Sequence, residues 1–279
     1  MVLFDSIKKS FGCVIENPSI TLFLVLFLIA SQLLIKYIVS AQNNIVALIL
    51  LLTLFVLVFA YFSGWFKVIK ESVQREKIKE KNFYSIFLEG IGANIIPVSI
   101  GIVNYTVLLL IILQVARIIA TLKFGDINFL IDGLNSAIVQ NDNNLDYLNN
   151  LSDSQKNIIQ GWHVCVVIAI VIFNFLTLFY FPSILYNEKN IFLRPFIAFW
   201  DAVKFLFKNF PDSLLMSIFI YISNTIIVFL NAIFAKNVIL SIILLLVYIY
   251  FLSYVVMLIF NYYEEKNNSS DRADCLGEN

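Results

Sequence analysis

The sequence is short of charge, of histidine and of cysteine, and each shortage excludes a class of protein or of site. Charged residues make up only 14% of the 279 residues, well below a soluble domain. The single histidine, His163, has no second histidine to complete a metal site, and the three cysteines show no CxxC spacing or disulfide framework. Nineteen acidic and nineteen basic residues cancel, which predicts no nucleic-acid partner. We therefore expect no enzyme activity, no cofactor and no metal site.

Hydrophobic sequence is what the chain has in abundance. Hydrophobic residues make up 60% of it, and six runs are long enough to cross about 30 Å of hydrocarbon at about 1.5 Å per residue. We predict an all-α, multi-pass membrane helix bundle in which residues 1–266 form one six-span domain and residues 267–279 a disordered cytoplasmic tail. The predicted spans are Ile20–Val39, Ile45–Trp65, Ile95–Leu122, Trp162–Tyr186, Ser213–Phe234 and Val238–Tyr262.

The distribution of lysine and arginine predicts the orientation. Fourteen of them lie in the amino-terminal segment, the second and fourth connections and the tail. Four lie on the other side, namely Lys36 near the end of span one and Lys123, Lys156 and Lys236 in the connections. Because cytoplasmic loops carry the excess of these residues, we place both termini in the cytoplasm and the protein in the plasma membrane. A cleaved signal peptide ending near Ala41 is the alternative for the first span, but an amphipathic segment precedes that span.

A short amphipathic stretch that runs into a proline occurs before spans one, three and five. We predict that the six spans form three hairpins, each preceded by a cytoplasmic interfacial helix. The proline would begin the next membrane helix, where its missing N–H costs nothing. The three copies run from Phe4 to Asn17-Pro18, from Asn82 to Asn94 and Pro97, and from Trp200 to Asn209-Phe210-Pro211.

Apolar and charged residues lie on different faces of the first and third stretches. The apolar face of the first comprises Phe4, Ile7, Phe11, Val14 and Ile15. The apolar face of the third comprises Phe196, Phe199, Trp200, Val203, Phe207 and Phe210. The candidate contacts with lipid headgroups are Lys8, Lys9, Lys204 and Lys208. We expect membrane lipids as partners, with other membrane proteins as a second class.

Four amide side chains lie several residues inside the predicted spans and form a candidate intramembrane polar layer. They are Gln32, Asn104, Asn174 and Asn224. Such amides join helices by hydrogen bonds worth about 0.6–2 kcal/mol, or they line a polar pathway. No ionisable residue lies at their depth, which favours the joining role. The leading hypothesis is a non-enzymatic membrane protein that acts through lipid or protein contacts. The alternative is a transporter or permease-like component with an amide-lined pathway.

The connections carry further local signals. The charged stretch Lys67–Lys81 predicts that the second membrane helix continues into the cytosol. In the segment Lys123–Gly161, a helix lying against the membrane is indicated by Ile127, Leu130, Ile131, Leu134 and Ile138, and Asn141–Asn150 is polar. Ser152–Gln155 is a capping-box pattern that would start the helix of the fourth span. Adjacent Glu264 and Glu265 have no companion histidines, so we predict no catalytic role for them.

Two stretches carry a resemblance to known proteins. One is Ser63-Gly64-Trp65-Phe66 with the following charged helix and Phe83–Phe87, and the other is Phe181-Pro182-Ser183-Ile184-Leu185 with Trp200–Lys204. In these the chain resembles a broad group of poorly characterised bacterial six-span membrane proteins. The group includes the YciC-like family and the membrane domain attached to some glycerophosphodiester phosphodiesterases. The resemblance implies a six-span fold in a bacterial membrane, and these residues include no phosphodiesterase domain from which an activity would follow.

Overall fold

The computed structural model describes the backbone of residues 2–74, 83–130, 151–187 and 190–277, with side chains as far as Asn267. In these ranges 91% of residues are helical and no strand occurs, which confirms the predicted all-α class. We number the helices in chain order. They are α1 (Val2–Glu16), α2 (Pro18–Ser40), α3 (Asn44–Gln74), α4 (Phe83–Phe124), α5 (Asp153–Leu176), α6 (Tyr180–Tyr186), α7 (Arg194–Lys208), α8 (Phe210–Phe234) and α9 (Val238–Gly277).

Six helical segments are long and apolar enough to cross a membrane. They are formed by α2, by α3, by α4, by α5 with α6, by α8 and by α9 as far as Asn267. The predicted polytopic helical fold is thereby confirmed, and the chain is an integral, multi-pass membrane protein. Helix α3 continues past Trp65 to Gln74, as the charged stretch predicts, and the last helix is continuous to Gly277, where the sequence predicts a disordered tail.

Prolines begin two of the membrane helices, but not the third one. Pro18 and Pro211 lie in the first turns of α2 and α8, as predicted. Pro97 lies inside α4, which is continuous from Phe83, so the prediction of a separate interfacial helix before span three was wrong. A proline inside a helix removes one backbone hydrogen bond, and membrane helices tolerate this where neighbouring groups satisfy the freed carbonyl.

Contacts between residues divide the chain into two compact units, where the sequence predicts one domain. Unit 1 consists of Met1–Ile102 and Thr177–Asn279, and unit 2 of Val103–Leu176. Within unit 1, α9 is the central element, because it packs against α1, α2, α3, α6 and α8. The pairs α2–α3 and α8–α9 are in contact, as expected for hairpins with short connections. Trp65 lies in this core and donates a hydrogen bond to the carbonyl of Ile20 at 3.2 Å.

Helices α3 and α4 approach each other closely in unit 1, at Gly64 and Gly90. A Cβ atom at Gly90 would lie 2.5 Å from the Cβ of Lys67 and 3.0 Å from the Cα of Gly64. A Cβ atom at Gly64 would lie 2.9 Å from the carbonyl oxygen of Phe87. Both positions therefore require glycine, as is common where membrane helices pack backbone against backbone.

Unit 2 contains an antiparallel pair of helices, the second part of α4 and α5. The Tyr105 hydroxyl donates to Asn174 Oδ1 at 3.3 Å near one end of the pair. Near the other end, Trp162 Nε1 donates to the carbonyl of Gly125 at 2.9 Å. Gly125 ends α4 with a φ of +101°, a conformation that favours glycine. The antiparallel pairing is what the hairpin prediction requires of spans three and four.

The start of α5 has the predicted capping box. The Ser152 backbone N–H donates to Gln155 Oε1 at 2.9 Å, and the Gln155 backbone N–H donates to Ser152 Oγ at 3.3 Å. This reciprocal pair satisfies two backbone donors that a helix start leaves open. Of the predicted helix before it, Asn128–Leu130 is helical, while Ile131, Leu134, Ile138 and Asn141–Asn150 lie outside the described residues.

Candidate functional site

Helix α1 presents three faces. Its protein-facing side is buried and comprises Leu3, Ser6, Ser10 and Val14. A second side carries the exposed Asp5, Lys8 and Lys9. On the third side Phe4, Phe11 and Ile15 are 74%, 53% and 55% exposed. The predicted apolar face is thus largely exposed, with two departures. Val14 is fully buried, and the half-exposed Phe11 ring packs edge-on against Tyr250 and Tyr254 of α9, at 6.5 and 6.3 Å between ring centres.

Helix α7 repeats this arrangement. Its protein-facing side is buried and comprises Pro195, Ala198, Ala202, Phe205 and Leu206. Lys204 and Lys208 are exposed on a polar side. Phe196, Trp200 and Phe207 are 53%, 64% and 59% exposed, and their spacing places them on one side of the helix. Two helices outside the six spans therefore expose large apolar side chains beside lysines.

Polar contacts join α1 to α9. The Ser6 hydroxyl donates to Glu265 Oε2 at 2.6 Å, and Lys9 lies 3.5 Å from the other oxygen of this carboxylate. Deeper in the interface, the buried Asn261 donates from Nδ2 to the Ser6 carbonyl at 3.3 Å and to Ser10 Oγ at 3.2 Å. These contacts fix which side of α1 faces the protein, and they leave its apolar side outward.

The adjacent glutamates of α9 are both engaged in contacts between helices. Glu264 Oε2 accepts a hydrogen bond from the Tyr186 hydroxyl at 2.7 Å, and Glu265 holds α1. On α8, Asp212 accepts from the Tyr262 hydroxyl at 3.1 Å and lies 3.2 Å from the Lys266 ammonium. Glu264, Glu265 and Asp212 thus join helices.

A pocket of about 270 Å³ lies between α6, α7 and α9, within unit 1. Its aromatic wall is formed by Phe205 and Tyr263, whose rings are 4.5 Å apart. The polar residues that line it are Ser183, Tyr186, Asn187, Asp201, Lys204 and Asn267. The pocket therefore combines one carboxylate, one ammonium, two amides and hydroxyl groups in a small volume.

The polar wall of the pocket is held by hydrogen bonds. Asn187 Nδ2 donates to Asp201 Oδ2 at 3.1 Å, which connects the end of α6 to α7. The Lys70 ammonium donates to the carbonyl of Leu185 at 2.9 Å and lies 4.4 Å from the centre of the Tyr186 ring. Because Tyr186 is also bonded to Glu264, side chains from α3 and α9 fix this wall. The pocket is preorganised in this respect.

Ser183 is the exception in this wall. Its side chain is 1% exposed, and its hydroxyl oxygen is buried without a hydrogen-bond partner. A buried hydroxyl that makes no hydrogen bond costs about 1–3 kcal/mol relative to a satisfied one. Because Ser183 lines the pocket, its hydroxyl is the polar group of this wall that still lacks a partner.

The predicted amide layer is distributed over different surroundings. Gln32 is exposed on α2, and Asn224 is partly buried on α8. In unit 2, Asn174 accepts the hydrogen bond from Tyr105 and Asn104 is partly buried. The Asn174 amide therefore makes a contact that joins two neighbouring helices.

Cys13 on α1 is partly buried. Burial raises the pKa of its thiol, while the nearby Lys9 lowers it and Glu16 raises it. The thiol therefore stays neutral near pH 7, and its partial burial is typical of a small packing group. In the described residues no group of three or more His, Cys, Asp or Glu side chains could hold a metal ion.

The pocket was not predicted from the sequence. Ser183 belongs to the Phe181–Leu185 stretch that carries the resemblance, and Asp201 and Lys204 to the polar stripe of α7, but nothing joined them to Tyr263 and Asn267. Near the end of the last apolar run, the local sequence shows only that Tyr263 and Asn267 are polar, which does not predict a pocket. No family model, no curated protein and no solved structure matches the chain.

Proposed function

We propose that this protein is a non-enzymatic component of the plasma membrane that acts through contacts with lipids and with other membrane proteins. The observation that carries the proposal is the outward apolar face of α1 and α7, two helices outside the six spans. In water, each exposed large apolar side chain would forgo about 1.5–3 kcal/mol of burial energy. At the boundary between headgroups and acyl chains the same side chains are buried in lipid.

The lysines beside these faces suit the same location. Lys8 borders the apolar face of α1, and Lys204 lies one helical turn from both Trp200 and Phe207 on α7. In a helix lying in the interface, lysines of this kind reach lipid phosphates while the apolar face enters the acyl region. The excess of lysine and arginine on this side of the membrane supports the cytoplasmic face as the location and cytoplasmic termini. The resemblance to the YciC-like group supports a bacterial membrane.

The permease alternative has less support. A pathway through the membrane needs polar groups that face a common interior. Gln32 is exposed on its helix, and Asn174 is bonded to Tyr105. A hydrogen bond between adjacent helices is the packing role of an intramembrane amide, so we retain the lipid-contact function.

Quenching of tryptophan fluorescence by brominated lipids tests the proposal. Of the three tryptophans, Trp200 is 64% exposed and Trp65 only 2%. In reconstituted protein we expect bromines near the glycerol end of the acyl chains to quench more strongly than bromines near the methyl end. The measurement uses a Trp162→Phe background, because Trp162 begins the fourth predicted span and would report a second shallow position. Most of this difference should disappear when Trp200→Phe is added.

The matched control is Trp65→Phe, which removes a buried tryptophan and should preserve the shallow quenching. Both variants are first compared with the wild type by size-exclusion chromatography. If Trp200→Phe leaves shallow quenching unchanged, α7 does not lie in the lipid interface and the proposal loses its main support.

A further inference from the structure

The pocket between α6, α7 and α9 is lined by two opposite charges that do not form an ion pair with each other. Asp201 and Lys204 are three residues apart on α7 and both line the pocket. Asp201 is partly buried and accepts a hydrogen bond from Asn187, while Lys204 is exposed. Neither forms an ion pair with another side chain in the described part of the chain. Each charge is therefore available to a ligand.

The charges exclude two simple classes of ligand. An inorganic anion at Lys204 would also face the Asp201 carboxylate, and a cation at Asp201 would also face the Lys204 ammonium. At distances near 4 Å, repulsion between like charges cancels much of either attraction. A zwitterion that places its negative group at Lys204 and its positive group at Asp201 gains from both residues.

The other residues of the pocket refine the choice of zwitterion. Ser183 has a buried hydroxyl without a partner, and Asn267 adds an amide. These groups form hydrogen bonds with a primary ammonium or a phosphate oxygen, and a quaternary ammonium has no N–H to donate. The volume of about 270 Å³ lies just below the range of about 300–1,000 Å³ typical of drug-sized ligands, so the group bound is small.

The surface beside the pocket indicates where such a group comes from. Lys204 follows Trp200 by four residues and precedes Phe207 by three, so all three share one side of α7. Trp200 and Phe207 belong to the exposed apolar face described above. A phosphate held at Lys204 would therefore lie next to a surface suited to acyl chains.

We infer that this pocket binds the headgroup of a zwitterionic phospholipid with a primary amine, of the phosphatidylethanolamine type. The phosphate lies at Lys204 and the ammonium at Asp201, with Ser183 as a further hydrogen-bond partner. This inference rests on the proposed function, because a lipid reaches the pocket only if α7 lies in the interface. The shared chemistry, a phosphate joined to a primary amine, also occurs in soluble glycerophosphoethanolamine.

Native mass spectrometry of the purified full-length protein in detergent tests the site. The protein is offered phosphatidylethanolamine and phosphatidylglycerol with identical acyl chains, in competition. We expect phosphatidylethanolamine to be retained about tenfold better, as one charge-assisted hydrogen bond allows. Asp201→Asn should remove this preference without weakening phosphatidylglycerol, and Ser183→Ala should lower phosphatidylethanolamine binding. Lys204→Gln should weaken both lipids.

The matched control is Lys208→Gln, which removes the same charge from α7 outside the pocket and should preserve the preference. Asp201→Asn is nearly isosteric and can still accept from Asn187, and its elution and melting are compared with the wild type. If Asp201→Asn fails to fold, the site is tested by lipid binding to Ser183→Ala and by the competition between the two lipids in the wild type.

Equal retention of the two lipids, or a preference that survives Asp201→Asn, overturns the site. Binding of glycerophosphoethanolamine in preference to phosphatidylethanolamine supports the headgroup chemistry but overturns the lipid source. If the lipid competition shows no selectivity while Trp200 is quenched by shallow bromines, the headgroup site is refuted and the proposed function still stands. Loss of that quenching with selective binding intact refutes the proposed function and the lipid source, and leaves only the headgroup chemistry of the pocket.

Discussion

The two ends of unit 1 are built differently. At the end that carries α1, α6 and α7, buried side chains are dense, and those of α3 run from Tyr61 to Val73. At the opposite end, residues 25–60 and 218–248 include no buried side chain. The same helices α2, α3, α8 and α9 pass through both regions. We call these regions the packed end and the open end.

The difference indicates where the fold is specified. Side chains at the packed end fit one another and satisfy polar groups on several helices, so their shape and chemistry matter. Side chains at the open end need only be apolar, because lipid tails are as apolar as leucine and replace protein contacts there. We therefore expect substitutions of one type to have unequal effects at the two ends, and four experiments test this expectation.

The largest effect is expected at the crossing of α3 and α4 in the packed end. Gly90→Leu places side-chain atoms where a Cβ alone would lie 2.5 Å from Lys67 Cβ. Because a facing backbone cannot yield, we expect a loss above about 3 kcal/mol and no monodisperse peak in size-exclusion chromatography. Gly92→Leu, on the same helix with nothing within 4 Å of the added Cβ, should elute like the wild type. Similar elution of both variants would contradict the crossing.

Truncation of one isoleucine at each end of α3 compares the two ends directly. Ile69 is 0% exposed in the packed end, and Ile49 is 58% exposed in the open end. We expect Ile69→Ala to lower the free energy of unfolding by about 2–4 kcal/mol, because it leaves a cavity. Ile49→Ala should change it by less than about 0.5 kcal/mol. Thermal unfolding in one detergent measures both effects. Equal shifts in melting temperature would contradict the difference between the packed end and the open end.

Asparagines provide a polar version of the comparison. Asn261 in the packed end is 1% exposed and donates to Ser6 and Ser10. Asn261→Leu should cost about 1–3 kcal/mol, since buried partners on α1 lose their donor. Asn224→Leu in the open end should cost less than about 0.6 kcal/mol. Accelerated proteolysis near α1 in the first variant alone would identify the lost contact, and its absence would show that α1 is held otherwise.

The smallest effect is expected in unit 2, which extends the comparison to the predicted amide layer. A double-mutant cycle with Tyr105→Phe and Asn174→Leu should give a coupling of about 0.6 kcal/mol, the average for hydrogen bonds between membrane helices. Chemical unfolding of the single and double variants measures it. A coupling of zero would mean that this hydrogen bond does not hold α4 and α5 together. The amide interpretation as packing would then lose its support.

Local signals in the sequence predicted a large part of the fold. The lengths of the apolar runs locate the spans, Pro18 and Pro211 begin membrane helices, and the capping box at Ser152 starts α5. Each of these follows from residues within a few positions of one another. The same local rule was wrong at Pro97, because whether a proline starts a helix or lies inside it depends on neighbouring helices as well as on the proline.

The candidate site was less accessible to sequence reasoning. The apolar faces of α1 and α7 followed from helical periodicity, except that Val14 turned out to be buried. The side of each helix that faces the protein depends on contacts such as Ser6 with Glu265, which are 259 residues apart in sequence. Short polar side chains near the ends of apolar runs do not specify their partners. The pocket around Asp201 is a product of such distant pairings.

The packing of α1 against α9 has a consequence for the order of events during synthesis. Helix α1 leaves the ribosome well before α9, yet its buried side packs mainly against α9. Until Asn261 and Glu265 have been translated and inserted, Ser6 and Ser10 lack the partners that hold them in the finished protein. Helix α1 is thus made long before it can reach its final position, and an unfinished chain would display a loose, amphipathic segment to the membrane and to proteases.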